Sequence, residues 1–169
     1  SRGSFLMPLV GILTVSDRSS AGSRSDASGP ALESRLAGAG LTVSISAVVP
    51  DEVQRIREVL IQWADMEALD LILTTGGTGV SPRDVTPEAT TEVLTRLIPG
   101  MAEVMRAVSM GKTPHAMISR AVAGVRGRTL IINLPGSPKG AIENLEAVLP
   151  AIPHAIAKIQ GDPSDCAQN

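Results

Sequence analysis

Aromatic residues are almost missing from this sequence of 169 residues. It contains one Phe, one Trp and no Tyr, and its 15 basic and 17 acidic side chains leave a net charge of −2. Proteins that bind single-stranded nucleic acid stack the bases on aromatic rings and line a groove with cations. The composition therefore argues against a nucleic-acid partner. A purine bound here would have to lie against aliphatic side chains and backbone.

Cysteine and histidine are nearly as scarce. The sequence contains one cysteine, Cys166, and two histidines, His115 and His154. This composition excludes a disulfide framework and provides no cysteine–histidine pattern for zinc. No apolar run reaches membrane-spanning length, and no signal-peptide pattern is present. We therefore expect a soluble protein in the reducing cytoplasm, with no membrane partner.

Apolar, β-rich runs alternate with helical segments along the chain. The runs at 10–15, 41–49, 71–74 and 129–134 have the composition of buried strands. Because helical segments of ten or more residues separate them, the strands should pair in parallel. We predict an α/β fold, a three-layer sandwich with a mostly parallel, doubly wound sheet and helices on both faces. A small edge hairpin is predicted near 121–125.

Helical spacing of apolar residues defines the connecting segments. It predicts helices over about 28–37, 53–65, 86–97 and 101–111, and one long helix over 141–160. The Ser- and Gly-rich segment at 18–26 is predicted to be a mobile loop. The length fits one domain, predicted over 9–162. We expect 1–8 to be a flexible tail or residues added in cloning, and 163–169 to be a tail or the start of a linker.

The most informative stretch is DLILTTGGTGVSPRD at 70–84. A short apolar strand runs directly into a bare turn, and Thr86 with Pro87 can then begin a helix. Such a turn exposes backbone N–H groups that favour an anion, so we interpret it as a phosphate-binding loop. Its glycine spacing matches neither the P-loop nor the dinucleotide fingerprint. A purely structural turn is the alternative, but such a turn would need neither Arg83 nor Asp84.

Carboxylates follow the predicted strands. Asp17, Asp51 and Asp84 lie at strand ends or just after them, and Asp26 lies in the adjacent loop. The carboxyl ends of parallel strands meet at one rim of a sheet, so these groups should converge there. Carboxylates beside a phosphate repel it unless a hard cation lies between them, and Mg²⁺ accepts such ligands. Simple turn capping by Asp17 and Asp51 is an equally good alternative.

A second polar cluster lies in the last third of the chain. Arginine side chains at 120–128 could bind phosphate through their planar forks, although Arg126 and Arg128 more commonly pair with acidic neighbours. Asn133 at a strand end could hydrogen-bond a base edge, and Lys139 near a helix start could contact a phosphate. These parts suit phosphoryl or nucleotidyl transfer between a Mg²⁺-bound nucleotide and a second phosphorylated substrate.

Several motifs, in this order, resemble those of one family. They are LTVSD at 13–17, VPDE at 49–52, LILTTGGTG-x-x-PRD-x-TPEAT at 71–90 and P-x-AM-x-SRA-x-AG-x-RG-x-TLIINLPGSPKG at 114–140. The sequence is similar to the molybdopterin adenylyltransferases, particularly the G domain of eukaryotic molybdenum insertases and the N-terminal domain of gephyrin. The likeness covers about 9–162. The 18–25 loop matches no family motif, and His115 replaces a usually apolar residue.

The resemblance implies adenylyl transfer from Mg-ATP to the terminal phosphate of molybdopterin, in molybdenum cofactor biosynthesis. The products would be adenylylated molybdopterin and pyrophosphate. Asp84 and Asp51 would be the essential carboxylates and the Mg²⁺ ligands. The implied molybdopterin-binding residues are Thr75, Gly76, Gly77, Thr78, Gly79, Ser119 and Arg120. The implied nucleotide-binding residues are Asp17, Asp26, Ser28, Gly29, Asn133, Pro135, Gly136, Ser137 and Lys139.

The same resemblance implies a homotrimer, either free-standing or fused to a molybdate-inserting domain. Two other functions fit the motifs. The chain could be a trimeric scaffold of the gephyrin type that binds molybdopterin without turnover, or a related domain that binds a pterin precursor without adenylylation. The presence of Asp51 and Asp84 favours the enzyme, because a scaffold has no need for carboxylates beside its phosphate loop.

Overall fold

One six-stranded sheet organises the chain, in a computed structural model that describes residues 7–163. The strands are β1 Leu9–Val15, β2 Thr42–Val49, β3 Leu71–Thr75, β4 Arg96–Leu97, β5 Ala123–Arg126 and β6 Thr129–Leu134. Their order is β2-β1-β3-β6-β5-β4. Strands β2, β1, β3 and β6 pair in parallel, and β5 and β4 add antiparallel at one edge. The predicted α/β class and the mostly parallel sheet are confirmed, and the hairpin predicted near 121–125 is the antiparallel pair of β5 with β6, beside the edge strand β4.

Helices connect the strands. They are α1 Asp17–Ser20, α2 Ser28–Gly38, α3 Val53–Ile61, α4 Thr86–Val93, α5 Pro99–Met110, α6 Pro138–Val148 and α7 Ile152–Ile159. A π-helical turn, Gln62–Met66, extends α3. None of the helices in residues 7–163 is long and apolar enough to cross a membrane.

Three helical boundaries differ from the sequence prediction. The predicted loop at 18–26 begins with a short helix, because the Ser16 side chain accepts a hydrogen bond from the Ser19 N–H at 3.1 Å and caps it. The helix predicted over 86–97 ends at Val93, since the following backbone bonds to β5 instead. The single helix predicted over 141–160 is interrupted by the 3₁₀ turn Leu149–Ala151, where proline occupies the second position.

The core consists of two apolar layers, one on each face of the sheet. Helices α2, α5, α6 and α7 cover one face, and α3 and α4 cover the other. Successive residues of β1 alternate between the layers, so Ile12 packs into the first and Leu13 into the second. Each fully buried side chain of this size stabilises the fold by roughly 1.5–3 kcal/mol. The two layers hold the carboxyl ends of the strands in fixed positions.

Trp63 fills the second layer near the amino ends of the strands. Only 3% of this residue is exposed. Its ring and the Leu69 side chain occupy the space beside Gly11, where an added Cβ would lie 2.7 Å from Leu69 Cδ1 and 2.8 Å from Trp63 Cε3. Gly11 is therefore required by packing.

Charged side chains close the same end of the sheet, and one of them, Asp70, is buried. The Asp70 carboxylate is 4% exposed and accepts hydrogen bonds from the Leu9 N–H at 2.7 Å and from Gln160 Nε2 at 2.6 Å. Arg128 also pairs with Asp70, and Arg126 pairs with Asp65 in the same way. Both arginines therefore pair with acidic neighbours, which was the alternative to binding a phosphate.

Candidate active site

The turn after β3, Thr75–Gly79, is called the glycine loop below. Gly76 and Gly77 have φ angles of 102° and 69°, which glycine adopts without strain. A Cβ at Gly76 would overlap the Val15 carbonyl oxygen, and one at Gly77 would overlap Thr86 Oγ1. Thr86 fixes the loop by donating its Oγ1–H to the Gly76 carbonyl at 2.9 Å and its N–H to the Gly77 carbonyl at 3.1 Å. Both conformation and space therefore require these glycines.

A second turn, after β6, lies against the glycine loop. Thr75 Oγ1 donates a 2.6 Å hydrogen bond to the Pro135 carbonyl. A Cβ on Gly136 would lie 3.3 Å from the Gly76 Cα, so the two backbones nearly touch. Ser137 then caps α6 by accepting from the Gly140 N–H at 3.1 Å. The two turns and the helix start form one continuous surface.

These turns border a cleft of about 740 Å³ at the carboxyl ends of β1, β3 and β6. It brings together most of the predicted carboxylates and turn residues. Those lining it are Asp17, Asp26, Ser28, Asp51, Thr75, Gly76, Gly77, Asp84, Gly136 and Ser137. The rim expected from a parallel sheet is therefore present, with acidic side chains beside bare backbone.

Asp17 and Asp51 brace each other across the ends of β1 and β2. The Asp17 N–H donates to Asp51 Oδ2 at 2.8 Å, and the Asp51 N–H donates to Asp17 Oδ1 at 3.0 Å. Arg83 adds a fork to Asp17, with both nitrogen–oxygen distances at 2.9 Å. The hydrogen bonds from Arg83 and from the Asp51 backbone hold the pKa of Asp17 below its usual range. Asp17 is therefore an anion that positions its neighbours.

Asp51 has the opposite electrostatic character. Partial burial raises the pKa of its carboxyl, and the negative charges of Asp17 and Asp84 raise it further. The hydrogen bond from the Asp17 backbone and the charge of Arg83 oppose this only in part. A carboxylate held in this way is stabilised when a cation enters the cleft.

Asp84 closes the loop that follows the glycine loop. Its Oδ2 accepts from the Ser81 N–H at 3.0 Å. A Cβ on Gly79 would lie 2.9 Å from the same oxygen, so the side chain folds back against the glycine loop. The backbone of Ser81 and of Gly79 therefore fixes the position of the Asp84 carboxylate.

Asp26 ties the start of α2 to the sheet. It accepts from Thr14 Oγ1 at 2.8 Å and from the Gly29 N–H at 3.1 Å. A Cβ at Gly29 would overlap the Asp26 carboxylate, and Gly29 itself is buried. Asp26 faces the cleft, whereas Gly29 permits its approach and does not line the cleft.

Two carboxylates have the free oxygens that a hard cation requires. In residues 7–163, Asp51 and Asp84 each have one oxygen that accepts a hydrogen bond and one that accepts none. No cluster of three potential metal-binding side chains occurs in this part of the chain. Mg²⁺ commonly combines one or two carboxylates with phosphate oxygens and water. The donor set fits a cation that arrives with a phosphorylated substrate better than a resident metal.

A second, smaller cavity of about 260 Å³ lies on the other side of the glycine loop. The predicted residues that line it are Thr78, Gly79, Ser119, Pro135 and Ser137. Arg106 and His115 also line it, and the sequence analysis assigned neither to a site. The Arg106 side chain donates to the Ala121 carbonyl at 2.9 Å, and the surface of the cavity is largely apolar.

Arg120 does not face either of these two cavities. Its guanidinium donates to the carbonyls of Gly79 at 2.7 Å and Asp84 at 2.8 Å, and its Nη1 is shared between the two Glu88 oxygens at 2.6 and 2.8 Å. This pairing lowers the pKa of the Glu88 carboxyl. Arg120 therefore clamps both ends of the 79–84 segment, and its contact with molybdopterin stays a prediction.

Asn133 also has protein partners for its side chain. It is completely buried, and its amide donates to Thr74 Oγ1 and Thr90 Oγ1 at 3.0 Å each and accepts from the Val122 N–H at 3.2 Å. The side chain therefore joins β3, α4 and the segment before β5, and its hydrogen bond to a base edge stays a prediction. Lys139 is exposed but lines neither cavity, and its nucleotide contact stays a prediction.

Sequence reasoning missed two cationic residues of the larger cleft, and it noted a third, Arg83, without assigning it a contact. Arg18, Arg24 and Arg83 all line it. Arg83 stands out in the sequence only for its charge. The position of Arg18 directly after Asp17, at the end of a predicted strand, was the one available signal for the other two.

Comparisons with known proteins agree with this geometry. The family described as a probable molybdopterin binding domain matches residues 11–154. A molybdopterin adenylyltransferase of Helicobacter pylori is 44% identical over 155 residues, which span 90% of this chain and 88% of that protein. The gephyrin of Dictyostelium discoideum is 47% identical over 165 residues, but the chain spans only 23% of its length.

Solved structures give the same result. The molybdopterin biosynthesis enzyme MoaB of Thermus thermophilus superposes with a TM-score of 0.88 at 58% identity, covering 94% of this chain and all of that one. A Mog protein of Mycobacterium ulcerans superposes with a TM-score of 0.84 at 40% identity, covering 90% and 99%. The chain belongs to the molybdopterin-binding domain family.

Proposed function

We propose that this protein transfers the adenylyl group of ATP to the terminal phosphate of molybdopterin. The observation that carries the proposal is the convergence, in one cleft, of a bare glycine loop with Asp51 and Asp84. Such a loop suits a phosphate, and carboxylates beside it suit a metal-bound triphosphate. Relatives named molybdopterin adenylyltransferase, 44% identical over most of the chain, support the same reaction.

In this reaction an oxygen of the terminal phosphate of molybdopterin bonds to the α-phosphorus of ATP. The bond from the α-phosphorus to its bridging oxygen breaks, and pyrophosphate leaves with that electron pair. Adenylylated molybdopterin and pyrophosphate account for every atom. The protein contributes mainly position and charge, as in other phosphoryl and nucleotidyl transfers.

Different groups of the protein would bind the two substrates and the metal ion. The glycine loop would hold the terminal phosphate through backbone N–H groups, with the pterin in the adjacent 260 Å³ cavity near Ser119. Asp51 and Asp84 would hold Mg²⁺, which neutralises the triphosphate when bound. Asp17 and Arg83 would keep Asp51 in place through their hydrogen bonds. The turn at 135–137 would line the nucleotide side.

The direct test is to supply Mg-ATP and molybdopterin to the purified chain. We expect one pyrophosphate and one adenylylated molybdopterin per ATP consumed, detected by mass spectrometry and a coupled pyrophosphate assay. Molybdopterin binding without ATP consumption would instead support a scaffold. Omission of Mg²⁺ should abolish product formation.

A homotrimer in the cytoplasm completes the proposal. Apolar side chains remain exposed on and beside α5, a surface that suits subunit contact. They are Leu97, Val104, Val108, Met110, Met117 and Ile118. Light scattering should give three times the mass of the chain, and Val108→Glu should lower it. A wild-type monomer would contradict this part of the proposal.

The gephyrin-type scaffold remains the second candidate, because the same exposed face could serve assembly alone. The match to one segment of a longer gephyrin also agrees with fusion to, or cooperation with, a molybdate-inserting domain. The transfer assay separates the two candidates, since a scaffold would trimerise and bind molybdopterin but release no pyrophosphate.

A further inference from the structure

We propose that Arg18 and Arg24 bind the β- and γ-phosphates of the nucleotide. The two residues and the segment between them, 18–24, are called the arginine loop. Both residues are exposed and line the 740 Å³ cleft. The inference rests on the proposed adenylyl transfer, and it adds the side chains that recognise the triphosphate.

The arginine loop is closed on itself by its own backbone. The Arg18 carbonyl accepts from the N–H groups of Ser23 at 3.0 Å and Arg24 at 3.3 Å, and from Ser23 Oγ at 3.1 Å. Ser16 anchors the preceding turn by capping α1. The two arginines therefore lie at the two ends of one short, closed loop, and both line the cleft.

Arg18 and Arg24 are available to bind an anion, because the carboxylates near the cleft that form ion pairs do so with other arginines. Arg83, the other cation in its lining, is engaged by Asp17, and Arg120 outside it is engaged by Glu88. Within residues 7–163, the guanidinium groups of Arg18 and Arg24 have no carboxylate or hydrogen-bond partner. A cleft with several carboxylates needs such cations to admit a polyanion, and an arginine fork matches phosphate oxygens in pairs.

The reaction gives these cations a second task. When the bond between the α-phosphorus and the bridging oxygen breaks, negative charge grows on the departing pyrophosphate. Arg18 and Arg24, bound to its oxygens, stabilise that charge more strongly than they stabilise intact ATP. The arginine loop should therefore affect both ATP affinity and the rate of transfer.

Calorimetric titration of the full chain tests the assignment without turnover. The probes are inorganic tripolyphosphate, ATP and AMP, added to Arg18→Gln, Arg24→Gln and the double variant. We expect the Kd for ATP and tripolyphosphate to rise about fivefold for each substitution and about twentyfold for both. The Kd for AMP, which lacks the outer phosphates, should change by less than about twofold. The matched control is Arg35→Gln with Arg55→Gln, which removes equal charge outside the cleft.

The outcomes separate this inference from the proposed function. A double variant that binds tripolyphosphate as tightly as the control variant overturns the role of the arginine loop, while wild-type adenylyl transfer would still stand. If the wild type transfers no adenylyl group, the proposed function fails, and the tripolyphosphate titration alone decides the arginine loop. Equal weakening of AMP and tripolyphosphate would also overturn the assignment to the outer phosphates.

Discussion

The glycine loop and the arginine loop follow neighbouring parallel strands, yet they are held in different ways. The glycine loop is fixed from outside by Thr86, by Arg120 and by contact with Gly136. The arginine loop is bonded mainly to itself, and most of its residues, 18–24, are exposed. The glycine loop is therefore held in one backbone conformation, whereas the arginine loop is free to change conformation when a ligand binds.

This contrast explains why one loop has an exacting sequence and the other does not. Each glycine of the first loop is enclosed by atoms that a larger side chain would meet. In the arginine loop, Gly22 has a φ of 77° but no heavy atom within 4 Å of an added Cβ. The function proposed for the first loop depends on backbone geometry, whereas the function proposed for the second depends on two charged side chains.

The largest effect is expected from the segment fixed to the glycine loop. Asp84→Asn keeps an oxygen for the Ser81 N–H but removes the charge. We expect adenylyl transfer to fall roughly 10³-fold, as when a preorganised charge is lost, with molybdopterin binding nearly unchanged. Single-turnover assays and equilibrium binding measure the two quantities. Near-normal turnover would remove Asp84 from the mechanism.

A matched glycine pair tests the difference in rigidity. Gly76→Ala should cost about 3–4 kcal/mol of unfolding free energy, because strain at positive φ adds to overlap with Val15. Gly22→Ala has the strain alone and should cost about 1 kcal/mol. Urea denaturation measures both. Equal losses of unfolding free energy would mean that the two loops are equally constrained, which would contradict the difference in rigidity.

The clamp on the glycine loop should affect the rate more than substrate affinity. Arg120→Lys keeps the charge but loses the fork that bonds Gly79, Asp84 and Glu88. We expect kcat to fall roughly tenfold to a hundredfold, since small displacements of reacting groups are costly, with KM for both substrates nearly unchanged. Glu88→Gln, which leaves Arg120 in place, should have a smaller effect. A large rise in KM for molybdopterin would instead indicate that Arg120 contacts molybdopterin directly.

The smallest effect is expected where the two loops meet, at Asp51 and Asp17. Because the folded protein raises the pKa of Asp51, the ionised carboxyl destabilises the fold above that pKa. Asp51→Asn should therefore raise Tm by about 1–3 °C at pH 7, and the difference should vanish at low pH where the native carboxyl is protonated. Thermal melts over a pH series measure this.

Asp17→Asn provides the control of opposite sign. The pKa of Asp17 is lowered in the folded protein, so its contribution is present above the ordinary carboxyl range and is lost as pH falls. The substitution should lower Tm slightly at neutral pH, by less than about 1 °C because the ion pair with Arg83 is exposed. Shifts of the same sign at both positions would contradict the electrostatic account.

The sequence predicted the parts of the molecule that depend on local pattern. Apolar runs located β1, β3 and β6, and the bare turn after β3 predicted the glycine loop. The convergence of Asp17, Asp51 and Asp84 followed from the parallel sheet alone. Local chemistry and fold class were sufficient for these features.

The sequence could not assign partners to side chains distant in the chain. Arg120 and Asn133 are residue types that commonly bind ligands. Their partners in the structure, Glu88 and Thr90, are 32 and 43 positions away in the sequence. The same limitation hid Arg24, whose place in the cleft depends on how the arginine loop closes. Only three-dimensional packing distinguishes a residue that binds a ligand from one that braces the residues that do.

The position of Trp63 gives this protein a built-in optical reporter. It is the sole tryptophan, and its packing against Gly11 and Leu69 places it near the amino ends of the strands, opposite the cleft. Its emission should shift to longer wavelength when the core opens to water, yet remain steady while nucleotide or pterin occupies the other rim. Fluorescence can therefore follow unfolding in loop variants without interference from ligand, and any change on ligand binding would reveal movement transmitted across the whole sheet.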